Sequence, residues 1–144
     1  MFFSTGSSGS LELKIIYTYY YDNSGRIEEI TTFGISSQTI SSTIKFTWED
    51  GNIAIRSSYN ADDELIFEYH TEYDNKSNIY KEIPYYYGFV HLSANNEISS
   101  VGVDYGGQFA SCDTCFSEFI YNLDGYPVEE TRNSNNYKTE YIYE

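Results

Sequence analysis

Three segments of this chain repeat one order of residues: an aromatic-x-aromatic triplet, a polar turn containing glycine, then an apolar residue that opens the next segment. They are Tyr19-Tyr20-Tyr21-Asp22-Asn23-Ser24-Gly25-Arg26-Ile27, Phe46-Thr47-Trp48-Glu49-Asp50-Gly51-Asn52-Ile53 and Phe119-Ile120-Tyr121-Asn122-Leu123-Asp124-Gly125-Tyr126-Pro127-Val128. A fourth copy, Ser58-Tyr59-Asn60-Ala61-Asp62-Asp63-Glu64-Leu65, follows the same course with Asp63 or Glu64 where the glycine would stand. Asp and Asn side chains bond their own backbone in turns, and glycine takes the positive φ that tight hairpins demand. Each copy therefore predicts strand, turn, strand, with Asp50-Gly51 and Asp124-Gly125 as the sharpest turn signals.

Between the turns, apolar residues alternate: Leu11, Leu13, Ile15, Tyr17, Tyr19 and Tyr21; then Ile44, Phe46 and Trp48; then Ile53, Ile55 and Tyr59. Further along come Leu65, Phe67, Tyr69 and Tyr73, then Ile98 with Val101, Val103 and Tyr105, then Tyr137, Tyr141 and Tyr143. A period of two predicts strands with one face buried, and the supply of 17 tyrosines and 9 phenylalanines suits strands. Only 78–88 loses the alternation. Pro84 removes a ladder donor there, so the stretch reads as a long connection with one helical turn. The expected fold is all-β: an antiparallel up-and-down meander of about ten strands, curved or barrel-like. An open sheet would leave its first and last strands free to pair with another chain. At 144 residues the chain suits a single domain. That domain is expected over residues 11–144, with 1–10, of linker composition from Ser4 to Ser10, as a flexible leader.

Eight basic against 22 acidic residues give a formal charge of −14. Such a surface repels nucleic acid, whose binding requires cations that displace counterions, and it does not adhere to an anionic membrane. No apolar run reaches the length of a transmembrane helix.

Candidate chemistry is sparse. Cys112 and Cys115 form a Cys-x-x-Cys, but no helix N-terminus is at hand to lower a thiol pKa; a local disulfide and two free thiols both remain open. His70 and His91 complete the count of a tetrahedral zinc site, yet their separation favours two strand residues on the polar face. The acidic turns do not match a calcium loop, and no nucleophile elbow occurs. No catalytic residue, metal site or cofactor is therefore assigned. Outward-pointing tyrosines are the positive lead: Tyr20, Tyr85, Tyr86 and Tyr87 offer apolar plates with hydrogen-bonding tips, suited to sugar rings or a protein partner.

Four segments, Tyr21-Asp22-Asn23-Ser24-Gly25-Arg26-Ile27, Tyr121-Asn122-Leu123-Asp124-Gly125-Tyr126-Pro127, Ser93-Ala94-Asn95-Asn96-Glu97-Ile98 and Glu140-Tyr141-Ile142-Tyr143-Glu144, carry a family resemblance. Through them the chain resembles a bacterial domain-of-unknown-function family with a porin-like fold, found in exported, often lipid-anchored envelope proteins. Its repeats are similar to the tyrosine-aspartate repeats of large bacterial surface and toxin-shell proteins. The resemblance implies an exported chain of the cell envelope or surface and transfers no site. The resulting expectation is a non-enzymatic envelope module that binds a glycan or an envelope protein. The alternatives are a glycan hydrolase with carboxylates inside the curved sheet, or a scaffold.

Overall fold

A computed structural model of the chain describes residues 2–5, 11–81, 89–107, 115–133 and 137–143. Its strands are β1 (Phe2–Thr5), β2 (Leu11–Tyr21), β3 (Ile27–Gly34), β4 (Thr39–Glu49), β5 (Asn52–Tyr59), β6 (Leu65–Ser77), β7 (Asn95–Asp104), β8 (Cys115–Tyr121), β9 (Pro127–Arg132) and β10 (Tyr137–Glu140). They lie in one ten-stranded antiparallel sheet, in the order in which the chain writes them. Among the described residues β1 and β10 do not pair with each other, so the meander stays open and is not a barrel. Phe2–Thr5, placed by composition in a leader, instead pair with β2, Thr5 standing opposite Leu11.

The repeat is a repeat of turn chemistry. In the loop after β2, the Asp22 N–H donates to Arg26 O at 2.8 Å and Gly25 N–H to Asp22 O at 3.0 Å. The Asp22 carboxylate accepts from the N–H groups of Ser24 and Arg26. Asn60 does the same with Asp62 and Glu64, and Asn122 with Asp124 and Tyr126. One residue in each loop takes a positive φ: Gly25 at 79°, Gly125 at 84° and, in the copy without glycine, Asp63 at 58°. Asp50-Gly51 is a different turn, a two-residue hairpin with both residues at positive φ, 47° and 81°, whereas Asp124-Gly125 belongs to the longer loop. Asp63→Gly is therefore expected to stabilise the fold by about 0.5–1 kcal/mol, read as a higher urea midpoint with unchanged slope. The exposed Lys45 contact that it would lose, at 3.9 Å, offsets little of that gain.

Each hairpin of the repeat carries a β-bulge just past its turn. Tyr21 pairs with Ile27 while Tyr20 pairs with Glu29, leaving Glu28 as the extra residue. Ala54, Ile66 and Val128 are extra in the same way in the later copies. An extra residue reverses the alternation beyond it. Ile53 and Ile55, in phase by the period-two reading, consequently fall on opposite faces, and Arg56 moves to the face of Phe46, its partner. Glu97 likewise joins the face of Ser100, because the register slips by one between Glu72 and Tyr73 and leaves Ile98 as the extra residue.

Among the described residues the buried apolar cluster is Ile30, Phe46 and Ile53, with Tyr17, Ile27, Ile44, Trp48, Phe89 and Leu92 packed against it. Phe89 and Leu92 come from the long connection between β6 and β7, which covers this face of the sheet and contains a 3-10 turn at Val90–Leu92. His91, expected on a strand, sits in that turn, because the chain here crosses the sheet instead of joining it. Polar side chains hold the connection down. Ser93, fully buried, accepts from Ile53 N–H at 3.1 Å and donates to the Tyr73 hydroxyl, which donates onward to Ile53 O at 2.9 Å. Asn52 and Asn95 bond each other through side chain and backbone, and Asn78 reaches Ser93 O. A connection whose Phe89 and Leu92 pack on the core is thus also pinned to the strands by hydrogen bonds of buried polar side chains.

Candidate functional site

The covered face places β5, β6 and β7 side by side at their middles, where Arg56 pairs with Tyr69, and Tyr69 with Gly102. Above them lies a pocket of about 270 Å³ walled by Tyr69, Tyr73 and Phe89, with Arg56, Glu97 and Thr71 supplying polar groups. The Arg56 guanidinium stacks 4.2 Å from the Tyr69 ring centre and 5.5 Å from that of Phe89. It forms no ion pair among the described residues, although acidic groups outnumber basic ones 22 to 8 in the chain. Burial lowers the Arg56 pKa, while the neighbouring Tyr69, Glu97 and Tyr73 favour its charged form. The Tyr73 phenol is pushed up by burial first, and then by Glu97. A half-buried guanidinium on two aromatic faces, with a carboxylate on the same wall, combines stacking surface with charged donors and acceptors.

A second constellation adjoins it. Glu97 and Glu130 both line a cavity of about 220 Å³ together with Ser117 and Arg132. Glu130 is 1% exposed, yet it accepts from Tyr80 at 2.9 Å, Tyr141 at 2.5 Å, Arg132 at 2.5 Å and Ser117 at 3.2 Å. Burial pushes its pKa up, but the hydrogen bonds from Tyr141, Arg132 and Tyr80 outweigh that and hold it below the usual carboxylate value. Asp74 is similarly engaged, accepting from the Tyr121 hydroxyl, the Asn96 amide and Lys76 N–H.

Of the residues singled out by sequence, Tyr20 is half exposed on the face opposite the pocket, level with Glu29. Tyr85, Tyr86, Tyr87 and Cys112 lie outside the described residues. Cys115 is half-buried at the start of β8, opposite Ser100. His70 is exposed on β6 beside Glu68, and His91 is remote from it in the chain, in the 3-10 turn. No group of three or more metal-ligating side chains occurs among the described residues. Nor, among them, is any helix long and apolar enough to cross a membrane. Arg56 and Glu97 were not singled out because both owe their facing to bulges; the available signal was a lone cation in a strand of an acidic chain. Compared with protein-family models and with curated proteins, the chain matches none.

Proposed function

We propose that this chain is a non-enzymatic binding module of the bacterial cell envelope, and that its pocket at Arg56 holds a sugar ring. The observation that carries this reading is the stacked Arg56 guanidinium, with no carboxylate within ion-pair distance among the described residues, opening onto a pocket that Glu97 shares. Sugars present apolar C–H faces to aromatic rings and pairs of hydroxyls to charged donors and acceptors. Tyr69, Tyr73 and Phe89 supply the first need, Arg56 and Glu97 the second. With one cation and one anion among the described residues at the pocket, a neutral saccharide fits better than a polyanion, and the chain's charge of −14 favours the same choice. The envelope setting rests on the resemblance of the tyrosine-aspartate repeats.

Hydrolysis finds less support. A general acid needs a carboxyl whose pKa is raised, and Glu130 is held the other way by donors that occupy it. The test is a glycan array probed with the purified chain, followed by titration of tryptophan and tyrosine fluorescence. Arg56→Gln and Tyr69→Ala are each expected to weaken binding about tenfold, the loss of one charged hydrogen bond or one stacking face. Tyr20→Ala on the opposite face should leave it unchanged. Saturable binding lost with Tyr20 or with Tyr85–Tyr87 alone would move the site, and binding to no saccharide would sink the reading.

A further inference from the structure

Between β7 and β8 the sheet comes apart. Their ladder consists of two pairs, Ser99 with Phe116 and Ser100 with Cys115, while the ladders on either side continue. Asn133 N–H donates to Phe116 O at 3.1 Å, so the even-numbered residues of β8 direct their backbone groups toward β9. The Ser117 carbonyl, Phe119 and Tyr121 accordingly point toward β7 beyond the last pair, where no further ladder pair occurs among the described residues. The gap is a groove of about 620 Å³ with an apolar floor of Ile98, Phe116, Phe119 and Ile120. Phe116 and Ile120 are 50% and 55% exposed, although β8 is an interior strand. Glu72, Asp74 and Glu118 also border the groove.

We propose that this seam docks an extended, cationic segment of a partner polypeptide, which adds to β8 as a strand. From Ser117 to Tyr121 the exposed side of β8 runs about 13 Å, room for about four strand residues at ~3.3 Å each. Backbone pairing supplies the affinity in this mode, and side-chain pockets supply the choice of sequence. The apolar floor takes every second side chain, and the carboxylates at the rim select Lys or Arg between them. A second copy of this chain is a poor occupant, since each copy carries −14 and would bring carboxylate against carboxylate.

The experiment uses amide hydrogen exchange by NMR on the full chain, with the synthetic peptide acetyl-Lys-Val-Lys-Val-Lys-amide as the probe. Without peptide, the amides of Phe119 and Tyr121 should exchange at least about tenfold faster than those of Glu118 and Ile120, which bond β9. Saturating peptide should protect them. A version with proline at the central position, or with Glu in place of Lys, should not, because the first lacks ladder donors and the second meets like charge. Ile120→Ser, at an exposed position the fold tolerates, should weaken the peptide several-fold. Protection of Phe119 and Tyr121 in the peptide-free monomer would show a closed ladder and overturn the proposal. So would protection that rises with protein concentration, which would mean self-association. Binding indifferent to proline and to Ile120→Ser would overturn it as well, leaving charge adhesion alone.

Discussion

Glu130→Ala is expected to cost about 3 kcal/mol of folding free energy, seen as a fall in the urea midpoint without a change in slope. Breaking a buried charge pair commonly costs about 3–5 kcal/mol, and the lower end applies here for a structural reason. Arg132 is 43% exposed and can rehydrate when its carboxylate is gone. Tyr80 cannot do so as easily: it is 8% exposed, and its oxygen lies 2.8 Å from that of Tyr141. Against a total stability of about 5–15 kcal/mol for a domain of this kind, one side chain accounts for a substantial share. Glu130→Gln keeps an acceptor for the phenols and should cost roughly half as much. The pH dependence follows from the direction of the shift. Because the folded-state pKa is depressed, the Glu130 contribution is complete above the unfolded carboxylate value of about 4.3 and is lost as pH falls through the folded one. The stability gap between the native chain and Glu130→Gln should therefore narrow below about pH 4. A gap that persisted unchanged in acid would mean that shape, not charge, sets the role of Glu130.

The order of the strands and the chemistry of their turns were legible in the residues, because both are local. Asp22, Asn60 and Asn122 each build the same hydrogen-bonded loop from the next four residues, so the similarity of the copies carried directly into structure. Facing was legible only as far as the first bulge. Counting by twos from Ile53 puts Arg56 on the wrong side of the sheet, and counting back from Ser100 does the same to Glu97. The bulge at Ala54 depends on pairing with Trp48 across the turn, a relation between two strands that no single strand's pattern displays. The pocket needed two such inversions together with a long connection that delivers Phe89, and for that reason the aromatic residues alone did not locate it. Closure was out of reach on the same grounds: whether ten strands meet depends on accumulated twist, to which every bulge adds.

Raising the pH should unfold this protein cooperatively within a narrow interval above pH 10, with tyrosinate absorbance and loss of sheet circular dichroism rising together. Four phenols are held neutral by the fold. Tyr73 is pushed up chiefly by burial; Tyr80 and Tyr141 by burial and by their contact with the Glu130 carboxylate; and Tyr121 by burial and by Asp74. In each case the folded-state pKa lies above the unfolded value of about 10, so the stabilisation is fully present below that pH and is lost as pH rises beyond it. A fully protected phenol gives up about 1.4 kcal/mol per pH unit. Discounting Tyr121 and Tyr141 for partial exposure, the four together should withdraw roughly 3–5 kcal/mol per unit, enough to exhaust an ordinary domain within about two pH units. The carboxylates prolong the loss, because a phenolate at Tyr80 or Tyr141 would stand against the ionised Glu130, and one at Tyr121 against Asp74, which keeps the folded phenols protonated to higher pH. Tyr121→Phe separates this account from general alkaline damage. It removes one such proton while leaving Asp74 bonded to Asn96 and Lys76, so stability at neutral pH should fall by about 1 kcal/mol while the fall with pH becomes shallower. Gradual tyrosinate formation with the sheet signal intact well past pH 11, or a Tyr121→Phe curve parallel to the native one, would show that these phenols reach solvent without unfolding and that the fold does not depend on their protons.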